Sequence, residues 1–129
     1  MTVGVGDKIP AAELLRVGAD GPETVAMPDY VAGRKVVIFA LPGAYTGTCT
    51  TAHVPSFMRV MDDLKDKGVD EVICLSVNDP FVMDAWGAST GAAAAGITFL
   101  ADASGAFAKG MERVLDAPAV GLHGRSLRY

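Results

Sequence analysis

The amino-acid sequence predicts one α/β domain with a mostly parallel central sheet. Three apolar segments rich in β-branched residues, at 34–41, 71–77 and 97–101, have the composition of strands that are buried on both faces. Helical patterns separate these segments, and such alternation of strand and helix is typical of parallel sheets with right-handed crossovers. The 129 residues match the size of a single domain, which we place at 1–129.

The segment before the first buried strand predicts an added β-hairpin. Two short strand patterns, at 12–17 and 24–27, flank a turn at Asp20-Gly21-Pro22. The first buried strand follows this hairpin and ends at Pro42-Gly43, where proline and glycine interrupt the apolar run.

Two helices are predicted between the buried strands. From Gly47 to about Lys67, apolar residues recur at offsets of three and four, as on one face of a helix; they are Val54, Phe57, Met58, Met61 and Leu64. Pro55 removes one backbone hydrogen bond from this helix, so we expect a kink near its first turn. The second helix begins after Asn78-Asp79-Pro80, a capping residue followed by proline, and we expect its Trp86 to pack against the sheet.

Composition and charge exclude several classes of function. Eleven basic and fifteen acidic residues give a net charge of −4, with no basic block that would favour binding to nucleic acid through its phosphates. The longest strongly apolar run, 36–41, is far shorter than the ~20 residues of a membrane span. The N-terminus shows no pattern of a secretory signal, so we expect a cytoplasmic protein that contacts neither a membrane nor nucleic acid.

The loop after the first buried strand contains the residues with the clearest chemical potential. Ligands of open α/β sheets bind beyond the carboxyl ends of the strands, and the loop there reads Pro42-Gly43-Ala44-Tyr45-Thr46-Gly47-Thr48-Cys49. With Thr46 as the N-cap, its side-chain oxygen accepts a hydrogen bond from the backbone N–H of Cys49. The positive end of the helix would then stabilise the Cys49 thiolate, which predicts a reactive thiol. The alternative is a small buried apolar residue, the usual state of a free cysteine.

Other residues with nucleophilic or ligating side chains allow competing interpretations. His53 lies one helical turn after Cys49 and is a candidate general base of a cysteine hydrolase, although no third, orienting group can be named. A metal site would need Cys49 and His53 to meet Cys74 and His123 from distant segments, so we expect neither a metal nor another cofactor. Cys74 lies in the middle of a buried strand, where a core position is the simpler interpretation.

The spacing Pro42-x-x-x-Thr46-x-x-Cys49 resembles the peroxidatic-cysteine motif of peroxiredoxins. The longer similarity is to the type II, peroxiredoxin-5-like subfamily, and it extends from about Val5 to the last residue. The segments that carry it are Pro42-Gly43-Ala44-Tyr45-Thr46, Thr48-Cys49, His53-Val54-Pro55, Phe57, Gly68-Val69-Asp70-Glu71, Cys74, Ser76-Val77-Asn78-Asp79-Pro80-Phe81-Val82-Met83, Ala85-Trp86-Gly87 and Arg125-Ser126-x-Arg128-Tyr129. This resemblance implies a thioredoxin-like fold, with helices around the central sheet and the N-terminal hairpin attached.

The resemblance also implies a thiol peroxidase and a role for each matching residue. Cys49 would attack one oxygen of a peroxide and become a sulfenic acid, Thr46 would hold the peroxide, and Arg128 would add positive charge beside the sulfur. Pro42, Gly47 and His53 would line the substrate pocket. Many members carry proline where this chain has Gly47, so we expect a looser loop here.

The implied partners are hydrogen peroxide or an alkyl hydroperoxide as substrate and an external thiol as reductant. The reductant would be glutathione with glutaredoxin, or thioredoxin, while Cys74 is the second choice as the resolving thiol. The resemblance further implies a homodimer.

The chain departs from the family at its end. The sequence stops at Tyr129, where the family continues into its last central strand and a C-terminal helix, so we expect these two elements to be missing. The alternative to an active enzyme is therefore a truncated, catalytically inactive module that senses redox state or binds a partner. Catalytic turnover with a thiol donor would distinguish the two.

Overall fold

The computed structural model describes residues 3–129. The strands are β1 (Glu13–Gly18), β2 (Gly21–Ala26), β3 (Val36–Ala40), β4 (Glu71–Ser76), β5 (Ile97–Ala101), β6 (Val114–Ala117) and β7 (Leu122–Ser126). The helices are α1 (Met27–Val31), α2 (Val54–Arg59), α3 (Met61–Asp66), α4 (Pro80–Thr90) and α5 (Ala106–Gly110), with a π-helical turn at Cys49–His53 and a 3₁₀ turn at Pro118–Val120.

A mixed five-stranded sheet forms the centre of the molecule, with the strand order β2-β1-β5-β4-β3. The three strands predicted from β-branched residues, β3, β4 and β5, are confirmed and run parallel, with Phe39, Cys74 and Phe99 side by side. The predicted hairpin β1–β2 is also confirmed, and β1 joins the sheet antiparallel to β5 through Leu15 and Ala101. Because the three parallel strands end at one edge, their following loops meet there.

Apolar residues are buried on both faces of the sheet. Phe39, Cys74 and Trp86 belong to the cluster on one face, and Leu14, Ile73 and Phe107 belong to the cluster on the other. The Trp86 ring is fully buried and meets the Phe99 ring edge-on at a centroid distance of 5.6 Å, which confirms the predicted packing of α4 on the sheet. Asp79 caps this helix by accepting a hydrogen bond from the Val82 N–H, as predicted.

The helix predicted from Gly47 to Lys67 is not continuous. It consists of the π-helical turn followed by α2 and α3, which are separated at Val60, where φ is −110° and ψ is 9°. Pro55 has no N–H to donate to the Thr51 carbonyl. The N–H of the preceding residue, Val54, donates to the Cys49 carbonyl, five residues back, and not four residues back as in an α-helix. The expected kink is therefore a widened turn that begins at Cys49 itself.

Several elements are not predicted by the sequence. The strand pattern at 24–27 ends one residue early, because Met27 begins α1. The hairpin β6–β7 lies in a region without a strand pattern, and its second strand, β7, contains His123.

The segment after β7 leads the chain to the outer edge of the sheet. Tyr129 exchanges both backbone hydrogen bonds with Ala40 of β3, at 3.0 and 3.1 Å. Residues 127–129 contain no further helix or strand of their own. None of the helices in the described chain has the length and apolar character needed to cross a bilayer.

Candidate active site

Three backbone positions fix the loop after β3. The Leu41 N–H donates to the Leu75 carbonyl at 3.3 Å and extends the pairing of β3 with β4. The Ala44 N–H donates to Asn78 Oδ1 at 3.0 Å, and Tyr45 adopts a left-handed conformation with φ of 63°. A tyrosine with positive φ is uncommon, and such backbone strain is frequent at functional sites.

Thr46 begins the helix as predicted, but its side chain does not make the predicted hydrogen bond. The Thr46 carbonyl accepts from the Thr50 N–H at 3.0 Å, which places the helix start after Thr46. Its hydroxyl donates to the Gly43 carbonyl at 2.7 Å, and no hydrogen bond from the Cys49 N–H to this oxygen occurs in the described structure. The loop turns back toward Gly43, so the Gly43 carbonyl, not the Cys49 N–H, is the hydrogen-bond partner of the Thr46 hydroxyl.

Cys49 and Arg128 meet although 79 residues separate them in sequence. The Cys49 side chain lies in the core cluster beside β3 and is 1% exposed. Arg128 Nη2 donates to Cys49 Sγ at 3.3 Å. A guanidinium at this distance can stabilise negative charge that develops on a reacting sulfur.

His53 is the hydrogen-bond partner of the other terminal nitrogen of the Arg128 guanidinium. Arg128 Nη1 donates to His53 Nδ1 at 2.8 Å, and the imidazole packs against the rings of Phe39 and Phe57. An arginine N–H can only donate, so Nδ1 carries no proton and the imidazole is neutral. Arg128 thus bridges the sulfur and His53.

Pro42 and Gly47, the remaining residues predicted to line the pocket, lie on the loop between β3 and Cys49. Pro42 is half-buried, and its carbonyl accepts from Arg125 Nη1 at 3.4 Å. Gly47 is exposed, and its carbonyl accepts from the Thr51 hydroxyl at 2.8 Å. A Cβ at Gly47 would meet no atom within 4 Å, so space does not require glycine there.

Two residues in contact with the loop, Asn78 and Arg125, have no role predicted from the sequence. Both belong to segments that carry the family resemblance, which is the only sequence signal that points to them. They reach the loop from 34 and 83 residues away, and separations of that size have no local pattern.

Comparison with known proteins identifies the family. Residues 4–122 match the Redoxin family. Peroxiredoxin-2D of Arabidopsis thaliana is 42% identical over 128 residues, which cover 98% of this chain and 78% of the plant protein. The chain belongs to the type II peroxiredoxins. The peroxiredoxin is therefore an oxidoreductase that reduces peroxides at the expense of thiols.

Solved structures agree with this assignment and with the fold that the resemblance implies. Reduced Prx3 of Vibrio vulnificus, determined in complex with hydrogen peroxide, matches with a TM-score of 0.90 and 39% identity, covering 98% of this chain and 78% of the Vibrio chain. Peroxiredoxin 5 of Alvinella pompejana matches with a TM-score of 0.84 and 31% identity, covering 98% and 79% of the two chains. The thioredoxin-like fold of this peroxiredoxin is thereby confirmed.

The second cysteine of the peroxiredoxin lies in its core. Cys74 is fully buried in the middle of β4, between Phe39 and Phe99 of the neighbouring strands. Burial, and then the nearby Cys49, raise the pKa of the Cys74 thiol well above its ordinary value. Cys74 is therefore held as a protonated thiol, a poor nucleophile, and shielded from solvent.

The geometry also bears on the two other interpretations of His53. No hydrogen bond joins His53 to Cys49 within residues 3–129, and Nδ1 is occupied by Arg128, so the pair is not arranged as a nucleophile and its base. No group of three or more His, Cys, Asp or Glu side chains in the described chain is placed to hold a metal ion.

We predict that acid slows the peroxiredoxin through His53. Burial, and then the charge of Arg128, lower the pKa of His53, so the imidazole stays neutral below its ordinary pKa of about 6.5. Protonation at still lower pH would remove the acceptor of Arg128 and place two cations side by side. The rate of Cys49 oxidation by hydrogen peroxide, divided by the thiolate fraction measured from alkylation, should therefore fall as the pH drops through this lowered pKa.

His53→Gln is the matched control, because glutamine offers a neutral acceptor that does not titrate. Its corrected rate should be flat over the same pH range, and identical profiles for both proteins would contradict the prediction. The unfolded chain binds the His53 proton more readily than the folded one. The free energy of unfolding should therefore also decrease as the pH falls below about 6.5.

Proposed function

We propose that Cys49, Thr46 and Arg128 carry out the peroxidase reaction, and that Cys49 passes through a sulfenic acid which an external thiol reduces. The observation that carries this proposal is the hydrogen bond of 3.3 Å from Arg128 to the buried Cys49 sulfur. Both cysteines are buried, but only Cys49 has a guanidinium and a helix start beside its sulfur, and such an electropositive environment favours a reactive thiol.

In the proposed reaction, Thr46 holds the peroxide and Cys49 attacks it. The Thr46 hydroxyl donates its hydrogen bond to the Gly43 carbonyl. The lone pairs of the hydroxyl oxygen are therefore available to accept a hydrogen bond from the O–H of a peroxide. The Cys49 thiolate forms a bond to one peroxide oxygen, and the O–O bond breaks. Cys49 becomes a sulfenic acid, and the other oxygen leaves as hydroxide or alkoxide and takes up a proton from solvent. Arg128 stabilises the negative charge that spreads over sulfur and the two oxygens.

The binding of peroxide to a relative supports this assignment of substrate. The structure of reduced Prx3 from Vibrio vulnificus was determined in complex with hydrogen peroxide, and the two aligned sequences are 39% identical. Hydrogen peroxide and small alkyl hydroperoxides are the substrates we propose. Pro42 and His53 would border their pocket, with the exposed Gly47 at its rim.

An external thiol completes the proposed cycle, because Cys74 is buried and protonated. The thiolate of glutathione, glutaredoxin or thioredoxin would attack the sulfenic sulfur, release water and form a mixed disulfide. A second thiol would then reduce this disulfide and regenerate Cys49. Thiols of this kind are reductants we propose from the family alone.

A homodimer is also part of the proposal. Two large side chains near the loop are exposed to solvent, Tyr45 at 56% and Phe81 at 61%. Burial of these rings against a second copy would remove apolar surface from water at the active-site end of the molecule.

The experiment that tests the proposed cycle traps its intermediate. After one equivalent of hydrogen peroxide, a sulfenic-acid reagent such as dimedone should label Cys49, as read by peptide mass. Turnover should then be sustained by glutathione with glutaredoxin or by a thioredoxin system. Cys74→Ala should turn over like the unaltered protein. A Cys49–Cys74 disulfide, or loss of turnover in Cys74→Ala, would contradict reduction by an external thiol.

A further inference from the structure

We propose that Asn78 and Arg125 are positioning residues that orient the Thr46 hydroxyl by fixing the two peptide groups on either side of Gly43. The inference rests on the proposed function, in which Thr46 accepts a hydrogen bond from the peroxide. Neither side chain contacts Cys49; each acts through the backbone of the loop.

The first of these peptide groups joins Gly43 to Ala44 and is held at both ends. Its carbonyl oxygen, on Gly43, accepts a hydrogen bond from the Thr46 hydroxyl at 2.7 Å. Its N–H, on Ala44, donates to Asn78 Oδ1 at 3.0 Å. Because a peptide group is planar, an acceptor that fixes the direction of the N–H also fixes the direction of the carbonyl. Asn78 thereby determines where the hydroxyl proton of Thr46 points.

The orientation of the Asn78 side chain is itself determined by its partners. The Ala44 N–H can only donate, so the amide of Asn78 must turn its oxygen, not its nitrogen, toward the loop. The hydroxyl of Ser76, at the end of β4, donates to the same oxygen. Ser76 is 1% exposed, so water does not compete for this hydrogen bond. A rigid strand therefore supports the acceptor on which the loop depends.

The second peptide group joins Pro42 to Gly43 and is held by Arg125. Nη1 of Arg125 donates to the Pro42 carbonyl at 3.4 Å. A Cβ at Gly43 would lie 3.0 Å from that nitrogen and 3.1 Å from Thr46 Cγ2, so the absence of a side chain lets both groups approach the loop. Glycine is also the residue whose flanking peptide groups rotate most easily. Anchors on both sides of Gly43 oppose that rotation.

Loss of these anchors should slow the reaction of Cys49 with peroxide far more than its reaction with other reagents. A Thr46 hydroxyl that no longer donates to Gly43 can rotate and present its proton to the pocket, so the peroxide O–H loses its acceptor. Alkylation of the Cys49 thiolate by iodoacetamide needs no such acceptor. The ratio of the two rate constants, for hydrogen peroxide and for iodoacetamide at one pH, therefore reports the orientation of Thr46 separately from the reactivity of the thiol.

We expect Asn78→Leu to lower this ratio by about 10- to 100-fold, since small misplacements of an orienting group cost up to about 10²-fold in rate. Asn78→Asp keeps an oxygen acceptor at the same place and should restore most of the ratio. Arg125→Met, which keeps the length of the side chain and removes the donors, should lower the ratio by a smaller factor. Circular dichroism and thermal melting of each variant establish that it is folded.

Asp79→Ala is the matched control, because it removes the cap of α4 without touching the loop. Its ratio should equal that of the unaltered protein, whereas a fall as large as that of Asn78→Leu would overturn the inference. An unchanged ratio in folded Asn78→Leu, or failure of Asn78→Asp to restore it, would also overturn it. If Asn78→Leu does not fold, an unchanged ratio in Arg125→Met has the same meaning. A low ratio in the unaltered protein, no higher than that of free cysteine, would instead contradict the proposed function itself.

Discussion

Replacement of Cys49 by serine is expected to abolish peroxide consumption in the presence of a thiol reductant. The serine hydroxyl has nearly the shape of the thiol but is not ionised near neutral pH, so the nucleophile is lost while the core cluster around it is retained. The measurement is the disappearance of hydrogen peroxide with glutathione and glutaredoxin, and the expected rate is that of the same mixture without the protein.

Cys74→Ala is the control for this experiment, because it removes the other cysteine of the chain from the same cluster. It should retain the activity that Cys49→Ser loses. Peroxide consumption by Cys49→Ser above the background would show that a different group reacts with the substrate.

Replacement of Arg128 by methionine is expected to slow the oxidation of Cys49 by about 10²- to 10³-fold, the usual effect of removing one donor to a developing negative charge. Arg128 touches both Cys49 Sγ and His53 Nδ1, so the variant loses the charge beside the sulfur and leaves His53 without its donor. The methionine side chain fills much of the same space. The rate constant of oxidation by hydrogen peroxide, measured in a single turnover, tests this expectation.

Two further variants separate charge from geometry. Arg128→Lys keeps a positive charge but cannot bridge two acceptors as a guanidinium does, so its rate should lie between those of the unaltered protein and Arg128→Met. Arg59→Met removes an exposed arginine of α2 and should leave the rate unchanged. A rate for Arg128→Met equal to that of Arg59→Met would show that the contact with the sulfur contributes nothing to the reaction.

The strands could be predicted from the sequence where a local pattern specifies them. The β-branched runs of β3, β4 and β5 are long enough to be recognised, and Asp79-Pro80 identifies the start of α4. The break at Val60 could not be predicted, because two successive helices can share the periodicity of one continuous helix. The hairpin β6–β7 was missed since its four- and five-residue strands lack an alternating pattern and are paired through tertiary context.

In the candidate site too, the features that a local sequence pattern specifies could be predicted, whereas contacts between residues far apart in sequence could not. The position of Cys49 near a helix start follows from the loop and helix patterns, whereas the direction of the Thr46 hydroxyl depends on how the loop closes on Gly43. The approach of Arg128 to Cys49 was implied by the family resemblance, because no local pattern reports a contact across 79 residues. The cytoplasmic location and the extent of the domain stay predictions.

We predict that the pocket of the peroxiredoxin, and not only the ionisation of its thiol, accelerates the reaction of Cys49 with peroxide. The most direct test is the rate constant of Cys49 oxidation by hydrogen peroxide in stopped flow, compared with free cysteine at equal thiolate concentration. Trp86, the single tryptophan, donates to the hydroxyl of Thr50 beside Cys49 and offers a fluorescence signal. We predict a rate constant at least about 10³-fold above that of free cysteine. A value equal to that of free cysteine would contradict the claim.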